Sequence, residues 1–254
     1  TALEGLGISS ANIMTGAMSA DLKYAVQKDG NRKLKGNIDF IKASLDWPEF
    51  GLKKEVGTSA VAEVSAEFDQ NGLITVASTN FSGEGSSGSA DLKINSAPDE
   101  RWKLKFNQLK IVNNRVDGVL VCQDDGVYAG TLGLNKLDVQ YVMGRLEDQT
   151  LAENTKPSIA LNINANIGLL SWGIKRKLQG VDLSLRFDNN SVQKFKLSGG
   201  VGKGAKLFID FQPFSKGYKL SVETDDFGAS LNALDIAKNV SGGKLTIKGE
   251  RPSL

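Results

Sequence analysis

Histidine is absent from the 254 residues, and with it go the Ser-His-Asp triad, the Cys-His nucleophile, the HExxH zinc site and every imidazole-based metal cluster. The single cysteine, Cys122, cannot close an intramolecular disulfide. That usage fits the cytosol as well as a periplasmic domain large enough to need no cross-links, and a lone Cys reads as a small buried hydrophobe before a reactive thiol. An excess of one charge is also missing: 31 Lys+Arg against 29 Asp+Glu leave 31 − 29 = +2, so no global field draws the chain to nucleic acid. No apolar run approaches the roughly 18 residues of a membrane-spanning helix. Thr1-Ala2-Leu3-Glu4 lacks the basic and apolar regions of a signal peptide. Starting without Met and ending at Arg251-Pro252-Ser253-Leu254, the chain reads as a segment of something longer, with any membrane anchor outside it. What is present, 40% hydrophobic and 24% charged residues, is the balance of a folded soluble domain and excludes disorder of the whole.

The dominant pattern has a period of two, which places alternate side chains on opposite faces of a sheet. Ile159, Leu161, Ile163, Ala165 and Ile167 alternate with Ala160, Asn162, Asn164 and Asn166, giving one apolar face and one asparagine-rich face. Leu183, Leu185 and Phe187 alternate in the same way, as do Leu207, Ile209 and Phe211, then Leu220 and Val222. Upstream, Leu22, Tyr24 and Val26, Leu92 and Ile94, and Trp102, Leu104 and Phe106 repeat the pattern, and Leu245 and Ile247 close it. Only five prolines occur, none within these runs, so the ladder donors stay available.

Turn chemistry separates the strands. Lys28-Asp29-Gly30-Asn31, Asp69-Gln70-Asn71-Gly72, Asp124-Asp125-Gly126, Asp188-Asn189-Asn190 and Ser215-Lys216-Gly217 supply the residues that accept a positive φ, which predicts antiparallel neighbours joined locally. Roughly fourteen to sixteen strands follow, more than one open twisted sheet carries without curling or splitting. Helical signal is sparse. Phe227, Leu231 and Leu234 fall at i, i+4 and i+7 behind Asp226 as N-cap, and Tyr141-Val142-Met143 offers another turn. The polar stretch from Glu147 to Pro157 reads as a loop and the best internal boundary. Gly-rich Ser82–Ser89 reads as a strand edge or turn. The expected architecture is all-β: one elongated, mostly antiparallel sheet over 1–254, curved into a groove, with one or two short helices and a sub-boundary near 147–157.

Several features invite chemistry and have a plainer explanation. Gly199-Gly200-Val201-Gly202-Lys203-Gly204 departs from GxxxxGK[ST] and lacks a following helix, so a hairpin explains it better than a phosphate loop. The acidic pairs Asp124-Asp125, Glu147-Asp148 and Asp225-Asp226 belong to turns and caps rather than to acid–base catalysis or calcium binding. Lys175-Arg176-Lys177, following Trp172, reads as a solvated hairpin end before a membrane contact. Trp47-Pro48-Glu49-Phe50 reads as a loop packed on the sheet. What remains is the apolar face. Alternation is compatible with a packed sandwich core and with an open groove for acyl chains, and the scarcity of covering helices favours the groove.

The stretch Tyr218–Ile236, containing Asp225-Asp226-Phe227-Gly228-Ala229-Ser230-Leu231-Asn232-Ala233-Leu234-Asp235-Ile236, followed by Gly242-Gly243-Lys244-Leu245-Thr246-Ile247, resembles the AsmA-like family of Gram-negative envelope proteins, in its YhdP-type members. Leu34–Phe40 leading to Leu45–Gly51, and Ala62–Phe68 ending at Asn71-Gly72, are similar to the same group. The resemblance implies a periplasmic region of a protein anchored in the inner membrane, a long curved sheet whose apolar trough conducts phospholipid toward the outer membrane. It also implies no enzyme activity, no cofactor and no catalytic residues. On that reading the partners are phospholipid acyl chains, a membrane reached through a segment outside this chain, and neighbouring sheet edges. The groove residues are Ile159, Leu161, Ile163, Ile167, Leu183, Leu185, Phe187, Leu207, Ile209, Phe211, Leu220 and Val222. About 15 strands at roughly 4.8 Å span on the order of 70 Å, so this would be one section of a conduit.

Overall fold

A computed structural model of the chain describes residues 14–47, 52–111, 114–138, 160–172, 176–188, 191–215, 217–234, 236–237 and 239–252. Ile159, the expected turn of helix at Tyr141-Val142-Met143, the stretch 147–157 and residues 48–51 lie outside them. The protein is all-β, with a mostly antiparallel fourteen-stranded sheet, a separate three-stranded sheet and one helix among the described residues. It resolves into two compact units, Thr1–Val121 and Cys122–Leu254.

The first unit holds β1 (Met14–Gly16), β2 (Ser19–Val26), β3 (Arg32–Asp39), β4 (Ala43–Trp47), β5 (Leu52–Lys54), β6 (Ala60–Phe68), β7 (Ile74–Gly83), β8 (Ser86–Ala97), β9 (Glu100–Ile111) and most of β10 (Asn114–Gln123). The turns expected from sequence close its hairpins. At β2–β3, Gly30 takes a φ of +84° and the Asp29 carboxylate accepts from the Asn31 backbone N–H at 3.0 Å. At β6–β7, the Asp69 carboxylate accepts from the N–H groups of Asn71 and Leu73 at 2.9 and 2.8 Å. The glycine-rich stretch is the tight Glu84-Gly85 turn between β7 and β8. Residues between β3 and β6 form an excursion, in which β4 pairs with β1 and β5. Buried Lys54 fastens it, its ammonium donating to the carbonyls of Phe40, Ala43 and Glu55 at 2.6, 2.5 and 3.2 Å. Pairing β3 with β6 restores the meander and keeps apolar residues together, with Tyr24, Leu34, Ala66, Ala77, Leu92 and Leu104 opposite one another in turn.

The second unit holds β11 (Val127–Asp138), β12 (Ala160–Ser171), β13 (Lys177–Asp188), β14 (Ser191–Val201), β15 (Ala205–Phe214), β16 (Gly217–Thr224), helix α1 (Phe227–Ala233) and β17 (Leu245–Pro252). From β12 to β17 neighbours are antiparallel and joined in sequence order. One junction departs from the expected meander: β11 and β12 run parallel. Parallel neighbours cannot be joined by a two-residue hairpin, so the local-turn rule that holds for the other strands of this unit does not apply here. The glycine-rich Gly199–Gly204 stretch is the β14–β15 hairpin, closed by Gly204 N–H to Val201 C=O at 3.0 Å. The Trp172 N–H donates to the Arg176 carbonyl at 3.1 Å and closes the β12–β13 end, where the basic run begins.

Candidate functional site

Residues directly opposite on paired strands share a face, so the ladder registers of the second unit decide which expected groove residues meet. One row reads Leu132, Ala165, Leu183, Leu197, Ile209, Val222 and Ile247 from β11 to β17. The adjacent row reads Gly130, Ile163, Leu185, Phe195, Phe211, Leu220 and Gly249. Leu161 faces Phe187, Ile167 faces Val181 and Leu207 faces Thr224. All the expected groove residues within the described range therefore lie on one face, in register. Sequence reading missed their neighbours on the same face: Phe195 and Leu197 of β14 alternate with lysine and serine, Val201 sits between glycines, and Leu132 and Leu134 of β11 alternate with glycine and asparagine, the same signal in weaker form.

Burial along this face is graded. Ile167, Val181, Val201 and Leu207 are at most 2% exposed. Toward the opposite strand ends, Leu161, Ile163, Leu185, Phe187 and Phe211 are only half-buried and Leu220 is 39% exposed, while Ile247, opposite Val222 on edge strand β17, is 45% exposed for want of a neighbouring strand. A sandwich core would seal these positions on both sides; here apolar surface meets solvent. Near this open margin Phe211 stacks on Tyr218 with ring centroids 5.0 Å apart, and the Tyr218 hydroxyl donates to Gln193 Oε1 at 2.8 Å. An aromatic body with a hydrogen-bonded polar tip suits an apolar–water boundary.

The sealed end has two local causes. Between Asp182 and Gln179 the β13–β14 register shifts by one residue, and Gly180 adopts φ +55°. This bulge reverses the alternation: a β-carbon on Gly199 would meet both the Val181 and the Leu178 side chains, three residues apart yet on one face. Leu170, opposite Leu178, is buried with them. The second cause is α1. Asp226 caps it, accepting from the Ala229 N–H at 2.8 Å, as the sequence led one to expect. Its buried residues are Gly228, Ser230 and Ala233, whereas the expected stripe of Phe227, Leu231 and Leu234 is only half-buried. Small residues prevail because the helix packs at close range: a β-carbon on Gly228 would overlap the Val240 carbonyl.

The opposite face is polar. The Asn166 amide donates to Asp182, and the Ser198 hydroxyl donates to the same carboxylate at 3.4 Å. Phe208 and Phe214 are aromatic exceptions on it, with Lys196 Nζ 5.5 Å from the first ring and Lys219 Nζ 4.8 Å from the second. The acidic pairs serve local structure where they are described: Asp125 accepts from the Val127 N–H at 2.9 Å and Asp226 caps α1, while Glu147-Asp148 lies outside the described residues. Lys53 is held above and Glu55 below their usual pKa ranges by their mutual hydrogen bond and attraction, an exposed 2.8 Å pair beside the small sheet. Cys122 is buried. No helix among the described residues is long and apolar enough to cross a membrane.

No family model, no curated protein and no solved structure matches the chain.

Proposed function

We propose that this chain is a non-enzymatic segment of a lipid-transfer conduit, its apolar face taking up phospholipid acyl chains while the polar face meets water. The observation that carries the reading is the unsealed apolar face: registered rows of Leu, Ile, Phe and Val run from β11 to β17 with half-buried or exposed members at one margin. Each methylene removed from water on such a surface is worth about 0.8 kcal/mol, so eight carbons of one acyl chain gain about 6 kcal/mol without any headgroup contact. A surface of this kind holds tails and is indifferent to headgroups. The AsmA-like resemblance extends the proposal to location and route: the periplasm, anchored in the inner membrane through a segment outside this chain, with phospholipid moving between inner and outer membranes and supporting the outer-membrane barrier. Edge strand β2 exposes its whole length, so association through sheet edges with the rest of such a protein belongs to the same proposal.

The test is extraction of detergent-free protein with organic solvent and mass spectrometry of bound phospholipid, beside a dry-core β-protein. Phospholipid is expected with the wild-type chain and not with Leu185→Asp, whose β-type circular dichroism is retained. The fully buried end favours a second reading, a structural or adhesive β-domain with a dry core and a protein-binding surface. Lipid-free protein from lipid-rich cells supports that reading and sinks the conduit.

A further inference from the structure

We infer that α1 is an autoinhibitory lid: it occupies part of the apolar strip that acyl chains would use, and is displaced when they load. The inference rests on the lipid-binding reading above and adds regulation to it. The position of the helix is fixed by its neighbours. Thr224, opposite Leu207 on the apolar face, shares a hydrogen bond with Ser230 of α1 at 2.6 Å, and a β-carbon on Gly202, next to Val201, would lie 3.1 Å from the Ala229 β-carbon. At this end Val201 and Leu207 are each 1% exposed, whereas Leu220, on the same face beyond the helix, is 39% exposed. Leu207 is sealed at the end of the face where α1 is held to Thr224.

The helix is built to leave. Its seven residues are too few to persist as a helix without tertiary contacts, and its large apolar side chains Phe227, Leu231 and Leu234 are only half-buried, so no fully buried large side chain anchors it. The tethers to the segment after it are backbone hydrogen bonds, Phe227 N–H to Gly243 C=O at 2.6 Å and Gly228 N–H to Gly242 C=O at 3.0 Å. Gly242 and Gly243 have φ of +66° and +87°, a conformation glycine enters and leaves at little cost. On the strand side, the Asp225 N–H holds the Lys206 carbonyl at 3.1 Å, so the chain before α1 stays fixed to β15 and the turn at Asp225-Asp226 is the pivot. Half-buried Phe227, Leu231 and Leu234 then cover the outside of a loaded chain instead of an empty strip.

Gly202 and Ala229 can be locked once the helix gives by a few tenths of an ångström and position 202 bears the strain of a side chain at φ +55°, since disulfides span β-carbon separations of about 3.5–4.5 Å. The full chain carrying Gly202→Cys and Ala229→Cys in a Cys122→Ala background is mixed with phosphatidylethanolamine vesicles containing a phospholipid with a diazirine in its acyl chain. After irradiation, label is mapped by peptide mass spectrometry. The oxidised protein is expected to lose at least fivefold of its label on β15 while label around Leu185 is unchanged, and reductant restores it. Gly228→Val, which forces the helix off Val240, is expected to raise β15 label with the β-type circular dichroism retained. Equal β15 label in the oxidised and reduced forms, or none on β15 in either form beside strong label at Leu185, overturns the lid alone. Absence of label everywhere overturns the lipid-binding reading and the lid with it.

Discussion

Truncating Leu207 and truncating Leu220 to alanine removes the same atoms from the same face, one under α1 and one at the open margin. Leu207 is 1% exposed, so its loss combines the transfer term with a cavity, about 3 kcal/mol within the 2–5 range of buried leucines. Leu220 is 39% exposed and solvent fills the space it vacates, which leaves only the shielded part of its transfer energy, about 1 kcal/mol. For a chain of this length each kcal/mol lowers Tm by roughly 2–4 °C. Thermal unfolding followed in the β-sheet circular dichroism band is therefore expected to fall by about 6–12 °C for Leu207→Ala and about 2–4 °C for Leu220→Ala. Saturating phospholipid is expected to raise the wild-type midpoint, because a ligand held by the folded state alone stabilises it by mass action, and to raise that of Leu220→Ala less. Equal drops for the two truncations would refute the graded burial on which the account depends.

Three further substitutions probe separate links. A β-carbon on Gly36 would overlap the Asp21 carbonyl, so Gly36→Ala is expected to push β2 off β3, seen as faster amide exchange over residues 19–26 with β12 and β13 unchanged. Removing the helix cap with Asp226→Ala is expected to cost about 1 kcal/mol and to speed exchange across residues 227–233; unchanged protection there would show that α1 does not depend on its cap. Tyr24 is 56% exposed on edge strand β2, and Tyr24→Lys is expected to reduce concentration-dependent association in sedimentation velocity, since an edge lysine opposes strand addition. Association unaffected by this charge would place the contact elsewhere.

Alternation alone placed Ile163, Leu185, Ile209 and Val222 on one face, and the Asp-Gly and Asn-Gly turns gave the hairpins, because both signals are local and each strand carries its own. Three features were not legible for the opposite reason, that they depend on distant partners. The parallel pairing of β11 with β12 is set by residues more than thirty apart in register. The reversal at Gly180 is visible only against the β14 register, so the pairing of Leu178 with Val181 on one face breaks the period-two rule that identified the strand. In α1 the periodic stripe of Phe227, Leu231 and Leu234 was readable, yet the buried set is Gly228, Ser230 and Ala233, Gly228 because it lies against the Val240–Ser241 backbone and Ser230 because it bonds Thr224. The acidic pairs read correctly as turn and cap residues wherever they are described, since an Asp side chain accepts from a backbone N–H two or three residues on without any tertiary help.

The most direct test of the lipid-binding claim compares neighbours on opposite faces of one strand. Leu183 lies opposite Ala165 and Leu197 on the apolar face, and Ser184 opposite Asn164 and Lys196 on the polar one. A photo-crosslinking amino acid placed at each position in turn, in cells labelled with radioactive phosphate, is expected to capture phospholipid from position 183 and none from 184. Capture at neither position, or equal capture at both, would contradict an acyl-chain surface confined to the apolar face.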